Sequence, residues 1–423
     1  MIQSNLSNKK EKFFTPLVIV AALGYFVDIY DLLLFGVERK ESLNEILRIQ
    51  FPGISSEDLQ SKNALFGKML LNWQMGGMLL GGIFWGILGD KKGRLSVLFG
   101  SILTYSIANI LNGMINSVEL YAVLRFISGF GLAGELGAGI TLVSETMSKE
   151  KRGIGTMIVA TIGVFGAVVA GFMGDVIQNW RNSFYLGGAM GLFLLILRIG
   201  VVESGMFSNV KKENVSRGDF FLLFKSGERI KKYLSIIFVA VPVWYVMGTL
   251  VLFSPELSVE LGLPKDAISS GKAIMYAYAG ITLGDLVSGL MSQILKSRKK
   301  TLFIFLLLTV IGCIVYFTLG GKSVFAFYTI VGFIGFATGY WAVFISTASE
   351  LFGTNVRSTV TTTAPNFVRA STILISGLLS LVTMFFETKM NAVITTGVII
   401  LAIGFLALWH LEETFGKDLD YTE

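Results

Sequence analysis

Apolar runs about 20 residues long recur along the whole chain, separated by short polar breaks. They predict twelve helices, over 14–37, 64–88, 95–115, 118–145, 154–176, 184–202, 232–254, 271–294, 301–320, 324–350, 359–386 and 391–411. Most of these runs are apolar on every side. That is the pattern of helices surrounded by lipid or by like helices, whereas a surface helix of a soluble domain has one polar face. One break is unusually dense in charge: in "GILGDKKGRLSVLFGS", Gly86 to Ser101, an acid and three bases sit between flanking glycines. An even number of crossings places both termini on one side.

Composition agrees with a membrane-embedded chain. Of 423 residues 53% are hydrophobic and 15% charged, with a mean hydropathy of +0.68, where soluble domains carry about 25% charged residues. Put the termini and the loops after even-numbered spans in the cytoplasm, and about 22 of the 35 Lys and Arg fall inside, about 10 outside and three (Arg125, Arg198, Arg369) within spans. The charge pattern therefore predicts cytoplasmic termini, and compact loops suit a bacterial inner membrane. The polar N-terminal stretch and the absence of a small-residue cleavage site read as an uncleaved first helix.

The net charge of +6 lies in short blocks between apolar runs, which excludes a nucleic-acid surface. One cysteine, Cys313, and one histidine, His410, exclude an internal disulfide and any cysteine or multi-histidine metal site. There is no phosphate-binding G-x-x-x-x-G-K-[ST] run and no catalytic triad, so neither an ATP-driven pump nor an enzyme is expected, and no cofactor or metal. The expected partners are lipid, a small solute and protons, with the chain acting as a monomer.

The longest polar basic segment, Glu203 to Tyr233, divides the chain six plus six: 1–203, a linker 204–231, and 232–423. Its "DFFLLF" piece suits a short amphipathic helix on the membrane face. The halves echo each other at an offset of 205: Ser144, Glu145 and Arg152 align with Ser349, Glu350 and Arg357, while Lys91 and Arg94 fall on Lys296 and Lys299. Paired six-helix halves with a solute between them are one architecture of secondary transporters.

The motifs themselves resemble a family. Gly86, Asp90, Gly93 and Arg94 match the loop 2–3 signature of the major facilitator superfamily. Arg125, Gly129, Gly131, Gly134, Glu135, Glu145, Arg152 and Gly153 resemble the helix 4 pattern of its sugar-porter and metabolite:proton-symporter branches. Tyr30, Asp31 and Gly36 are similar to the first-helix pattern of the latter. "ESGMF" and "LEETFGKDLD" are similar to its E-S/T-P and P-E-T elements without their prolines, and Ile29 stands where that pattern has tryptophan. Helix 5 lacks the G-P pair of drug antiporters. The resemblance implies an all-α membrane fold of two pseudo-symmetric six-helix bundles. It also implies a cytoplasmic gate in which Asp90 approaches the start of span 11 near Thr359 and Arg94 pairs with Glu145. Glu145–Arg152 and Glu350–Arg357 would complete the charge clusters, each partly exposed and worth about 0–1 kcal/mol. Gly77/Gly81 and Gly82/Gly86 in span 2 form small-xxx-small pairs that let helices approach.

Ionisable groups within spans are costly and are functional candidates by default. Asp28 and Asp31 share a face of span 1, with Tyr25 one turn earlier. Asp31 is the leading candidate proton carrier and Asp28 the second, opposed by Arg125; a non-titrating Asp–Arg pair is the alternative. Glu135 and Asp285 are further proton-coupling candidates. Arg369 is a candidate anion clamp, its fork matching carboxylate or phosphate, or else a partner of Asp285 or Glu350. Arg198 and Glu203 fit snorkelling near a helix end. Tyr25, Gln74, Trp244, Tyr340, Trp341 and Asn366 supply the polar and aromatic walls expected of a solute pocket, while Tyr276 and Tyr278 fit interfacial anchors. These readings combine into a secondary active transporter, a proton symporter for a small polar metabolite, with an organic anion favoured over a sugar. An exchanger or efflux pump of the same fold is the alternative.

Overall fold

The computed structural model describes residues 15–148, 151–199 and 217–423; Glu203 and most of the 204–231 linker lie outside them. Twelve helical rods follow one another: α1 (Pro16–Gln50), α2 (Ser56–Lys92), α3 (Arg94–Asn112), α4 (Val118–Thr146), α5 (Arg152–Val176), α6 (Trp180–Leu197), α7 (Gly227–Val251), α8 (Ser270–Ile294), α9 (Arg298–Leu319), α10 (Val324–Leu351), α11 (Arg357–Val382) and α12 (Lys389–His410). Among the described residues ten are long and apolar enough to cross a membrane on their own. The other two are α2, with its polar N-terminal third, and α6, which opens on Trp-Arg-Asn-Ser. The protein is a multi-pass integral membrane protein.

Local chemistry sets the boundaries. Ser55, Ser117, Asn179, Ser226, Ser297, Ser323 and Thr388 each cap a helix, their side-chain oxygens accepting a backbone N–H of the first turn. The long acidic loop expected after span 1 is mostly helix. Nothing breaks the chain before Pro52 and Gly53, and Leu43, Ile46 and Leu47 sit on one buried face, so α1 runs to Gln50. At about 50 Å it exceeds the roughly 30 Å hydrocarbon core.

Two rods are broken at equivalent places. α4 consists of Val118–Leu132 and Glu135–Thr146, interrupted at Ala133 and Gly134; α10 consists of Val324–Ala337 and Trp341–Leu351, interrupted at Thr338. The offset of 205 maps Ala133 onto Thr338. α7 ends in a π-helical turn, Val246–Val251, which starts four residues past Pro242, whose ring cannot continue the regular hydrogen-bond ladder.

The halves α1–α6 and α7–α12 meet chiefly along α2 against α11 and α5 against α8. Glycines permit close approach both within and between the halves. Gly77 and Gly81 face the α4 backbone at Phe126 and Phe130, and a Cβ on Gly86 would lie 2.9 Å from Thr359 Cα of α11. The "DFFLLF" segment forms a short 3-10 helix, Phe220–Phe224; Leu223 is buried and Phe220 packs on Tyr233 and Phe367, while Phe221 remains exposed.

Candidate functional site

Three groups of polar residues lie inside the protein. The first surrounds a small cavity between the halves, walled by Tyr25 of α1, Trp244 of α7, Tyr278 of α8, Trp341 of α10 and Arg369 of α11, with Ile29 and Val164 beside them. Arg369 is 1% exposed. Its Nη2 lies 3.8 Å from Asp28 Oδ2 and donates to Tyr25 Oη at 3.4 Å; its Nη1 donates to Asn366 Oδ1 at 3.3 Å. The guanidinium sits 5.8 Å from the Trp341 ring centre. Neither carboxyl oxygen of Asp28, nor Nε of Arg369, has a hydrogen-bond partner. The charges are close enough to attract and too far apart to hydrogen-bond, an arrangement that an anionic solute could enter. A second cavity adjoins the first farther along α1, at Leu32, Leu33 and Gly36, and shares Trp244 and Tyr278.

The second group fills the interior of the N-terminal half. Asp31, fully buried, faces Gly187 of α6 and interacts electrostatically with Arg125. Arg125 donates to Asn112 Oδ1 at 3.2 Å and Asn109 Oδ1 at 2.9 Å, and its guanidinium lies 4.8 Å from the Phe184 ring centre. Glu135 opens the second piece of α4 and forms a buried ion pair with Arg198 against Gly24 of α1. The snorkelling expected of Arg198 is thereby corrected: it is 1% exposed and also donates to Leu98 O. Burial turns it inward because Glu135 and the Leu98 carbonyl both need a donor there.

The third group seals the end of the bundle that carries the α2–α3 and α10–α11 turns. Asp90 accepts the backbone N–H of Ser358 at 3.0 Å and of Thr359 at 2.8 Å, and the Thr359 hydroxyl at 2.7 Å, capping α11 from the opposite half. Gly93 turns the chain between α2 and α3 at φ 101°, a conformation costly for any residue with a Cβ. Arg94 holds Glu145 at 2.7 Å.

The remaining pairs are crossed, where within-half pairs were expected. Arg357 binds Glu145 at 3.1 Å and Arg152 binds Glu350 at 3.3 Å, each joining one half to the other, and Arg298 also holds Glu350 at 3.0 Å. All these side chains are at most 6% exposed. The partly exposed estimate therefore gives way to a buried network, in which removing one partner costs about 3–5 kcal/mol because the other is left desolvated.

The C-terminal tail lies over this network. Leu419 O accepts from Arg357 at 2.6 Å, and Thr414 donates to Glu350 at 2.8 Å. Glu413 caps α9: burial acts to raise its pKa, but hydrogen bonds from Ser297 and from the N–H groups of Phe415, Arg298 and Lys299 hold the carboxyl below the usual range.

The structure thus gathers Tyr25, Asp28, Trp244, Trp341, Asn366 and Arg369 at the centre and sends other candidates elsewhere. Gln74 donates to Leu32 O at 3.3 Å and ties α2 to α1. Tyr340, fully buried, donates to Val239 O at 3.0 Å. Arg125 stays inside the N-terminal half. Asp285 Oδ1 accepts from Ala342 N at 3.0 Å, capping the second piece of α10. Tyr278, expected at an interface, lines both cavities, while Tyr276 is 43% exposed and stacks on Tyr328. Two residues turn a helix by about 200°, so the pair faces opposite ways and composition could not say which was inward. The clamp from Asn109 and Asn112 was readable as a polar i, i+3 pair in an apolar span; Glu38, which accepts from Ser183 at 2.7 Å, lies just past the predicted end of span 1 and was not.

Known proteins share this frame. The chain is 26% identical over 344 residues to the 3-(3-hydroxy-phenyl)propionate transporter of Escherichia coli (strain K12), covering 76% of this chain and 80% of that one. It is 25% identical over 303 residues to a protein of Bacillus subtilis (strain 168) named for niacin/nicotinamide transport, covering 69% and 73%. The proton:xylose symporter XylE superposes with a TM-score of 0.75 at 16% identity, over 96% of this chain and 97% of that one, a likeness of fold. With a family model for the Major Facilitator Superfamily matching residues 46–377, the chain belongs to that superfamily and is a transporter of small metabolites.

Proposed function

We propose that the protein is a proton-coupled symporter of a small organic anion, working by alternating access with both termini in the cytoplasm. The observation that carries this reading is Arg369: buried, on the wall of the cavity between the halves, and only 3.8 Å from Asp28. A carboxylate solute competes with Asp28 for the same guanidinium. Protonation of Asp28 frees Arg369 for the solute, and solute on Arg369 favours protonation of Asp28, so the two are taken up together. Asp31 and Arg125 repeat this opposition one turn farther along α1. The aromatic walls from Tyr25, Trp244, Tyr278 and Trp341 favour a solute with a flat or apolar body. The relatives named for hydroxyphenylpropionate and niacin/nicotinamide transport support this class: every one of those solutes carries a ring, and hydroxyphenylpropionate and niacin carry a carboxylate.

The basic end would face the cytoplasm, sealed by the crossed ion pairs. Toward the opposite end Gly36, Leu252 and Ile274 line the second cavity, and beyond it Arg39 stands 3.8 Å from Glu256. The test is uptake of labelled 3-(3-hydroxyphenyl)propionate, nicotinate and a panel of organic acids and sugars into proteoliposomes under an imposed pH gradient. Symport predicts gradient-driven accumulation of an acid, abolished in Asp28→Asn and Asp31→Asn. Solute exchange that ignores the gradient and survives in both variants would identify an exchanger.

A further inference from the structure

One helix presents two different polar faces. Tyr25, Ile29, Leu32, Leu33 and Gly36 of α1 line the cavities between the halves. Asp31, Glu38 and Ser42, spaced at helical intervals, lie on another face, turned into the N-terminal half. Glu38 is 2% exposed, and its Oε1 accepts from Ser183 of α6 at 2.7 Å. Ser42 shares a hydrogen bond with Tyr121 of α4 at 3.3 Å.

This face is rich in buried polar atoms without protein partners. They include both carboxyl oxygens of Asp31, the hydroxyls of Tyr30 and Tyr105, Ser106 Oγ, Asn109 Nδ2 and Arg125 Nη1. Buried groups of this kind take water as their partner. Tyr30 is within electrostatic reach of both Asp31 and Glu38. Glu38 stands about 10 Å beyond Asp31 along the helix axis.

We propose that protons enter from the outer side through the interior of the N-terminal half, along Glu38, Tyr30 and Asp31 of α1, on a route separate from the cavity that takes the solute. This rests on the symport reading above and adds to it the entry path. The Glu38 carboxylate takes a proton from outer water and becomes the acid. The Tyr30 hydroxyl and bound water each pass on one proton for each received. The Asp31 carboxylate ends protonated, and Glu38 returns to its carboxylate. The ionisable and charged groups facing Glu38 are Glu41 and Tyr30 of its own helix and Tyr121 of α4, with the Ser183 hydroxyl from α6. Those facing Asp31 are Asp28 and Tyr30 of its own helix, Arg125 of α4 and Tyr105 of α3, with the Asn109 amide.

The test compares wild type, Glu38→Gln and Tyr30→Phe in proteoliposomes holding a trapped pH-sensitive dye, with the best-transported acid of the panel above as the probe. Both variants should slow acid-driven uptake and its accompanying proton entry about a hundredfold, the lower end of what one lost proton-transfer group costs, and leave solute counterflow unchanged. Ser183→Ala, which removes only the donor to Glu38, should move the pH of half-maximal uptake upward, a change that lost packing alone would not produce, and it serves if Glu38→Gln fails to fold. Wild-type coupling retained in Glu38→Gln and Tyr30→Phe, or an unmoved pH profile in Ser183→Ala, would overturn the route while leaving symport standing. Solute uptake without proton movement in wild type would overturn symport itself.

Discussion

Ser144 and Ser349, 205 residues apart and equivalent in the two halves, meet side chain to side chain at 3.4 Å. Two equivalent residues touch only where a two-fold relation passes between them. The crossed pairs Glu145–Arg357 and Glu350–Arg152 have the same property: at the offset of 205 each maps onto the other. Such reciprocal contacts are those of an isologous interface, here within one chain. This interface must part for the basic end to open.

Glu145 holds both Arg94 and Arg357, as Glu350 holds both Arg152 and Arg298. Glu145→Gln should weaken the closed basic end by about 3–5 kcal/mol, because buried Arg357 loses its counter-charge and Arg94 keeps Asp90, farther away at 3.6 Å. Spin-label distances between the α2–α3 and α10–α11 turns, in a background with Cys313→Ser, should shift toward the separated population. An unchanged distance distribution would show that the pairs do not hold the gate.

Gly86 sets how closely α2 and α11 approach. Gly86→Val places methyl groups where Thr359 Cα already stands, and backbone cannot yield as a flexible side chain does. The same distance measurement should report a basic end that cannot close, in a protein that still elutes as a folded species, with transport lost.

Arg369 offers a test of solute chemistry. Arg369→Lys keeps the charge but loses the planar fork, and solute binding should weaken about tenfold, roughly 1.4 kcal/mol. Arg369→Ala should abolish binding of carboxylates. A solute whose binding survives Arg369→Ala is not held through this guanidinium.

Glu413 gives stability a pH dependence. Its carboxyl is held below the usual range in the folded protein, so the stabilisation is present above the unfolded value of about 4.3 and is lost as pH falls through the lower folded value. Glu413→Gln should therefore lower the unfolding temperature at pH 7 and progressively less below about pH 4, where wild type loses the same interactions. Thermal scans of both proteins in detergent at the two pH values measure the difference.

Much of this was legible because the bilayer imposes a strong rule. Every backbone polar group must be satisfied within a helix, so twelve apolar runs could be counted and a repeat read at one offset. The extent of α1 was not legible, since the acidic stretch after Gly36 looked like a loop until Leu43, Ile46 and Leu47 found a face to pack on. Asp28 and Arg369 were both conspicuous as charges in apolar spans, but Asp285 and Glu350 were equally good partners for the arginine on sequence grounds. Tyr276 and Tyr278 were indistinguishable by composition and differ by which side of α8 meets the other half.

The sequence by itself determined the number of rods, their duplication and the identity of the charged groups buried among them, because length, hydropathy and spacing are properties of one segment at a time. The tertiary structure decided which charges meet: Arg369 with Asp28, Glu145 with Arg357, Arg198 with Glu135. Those pairings depend on how α1, α4, α6, α10 and α11 rotate and approach, set by glycines at crossings and by the desolvation cost of leaving any buried ion alone.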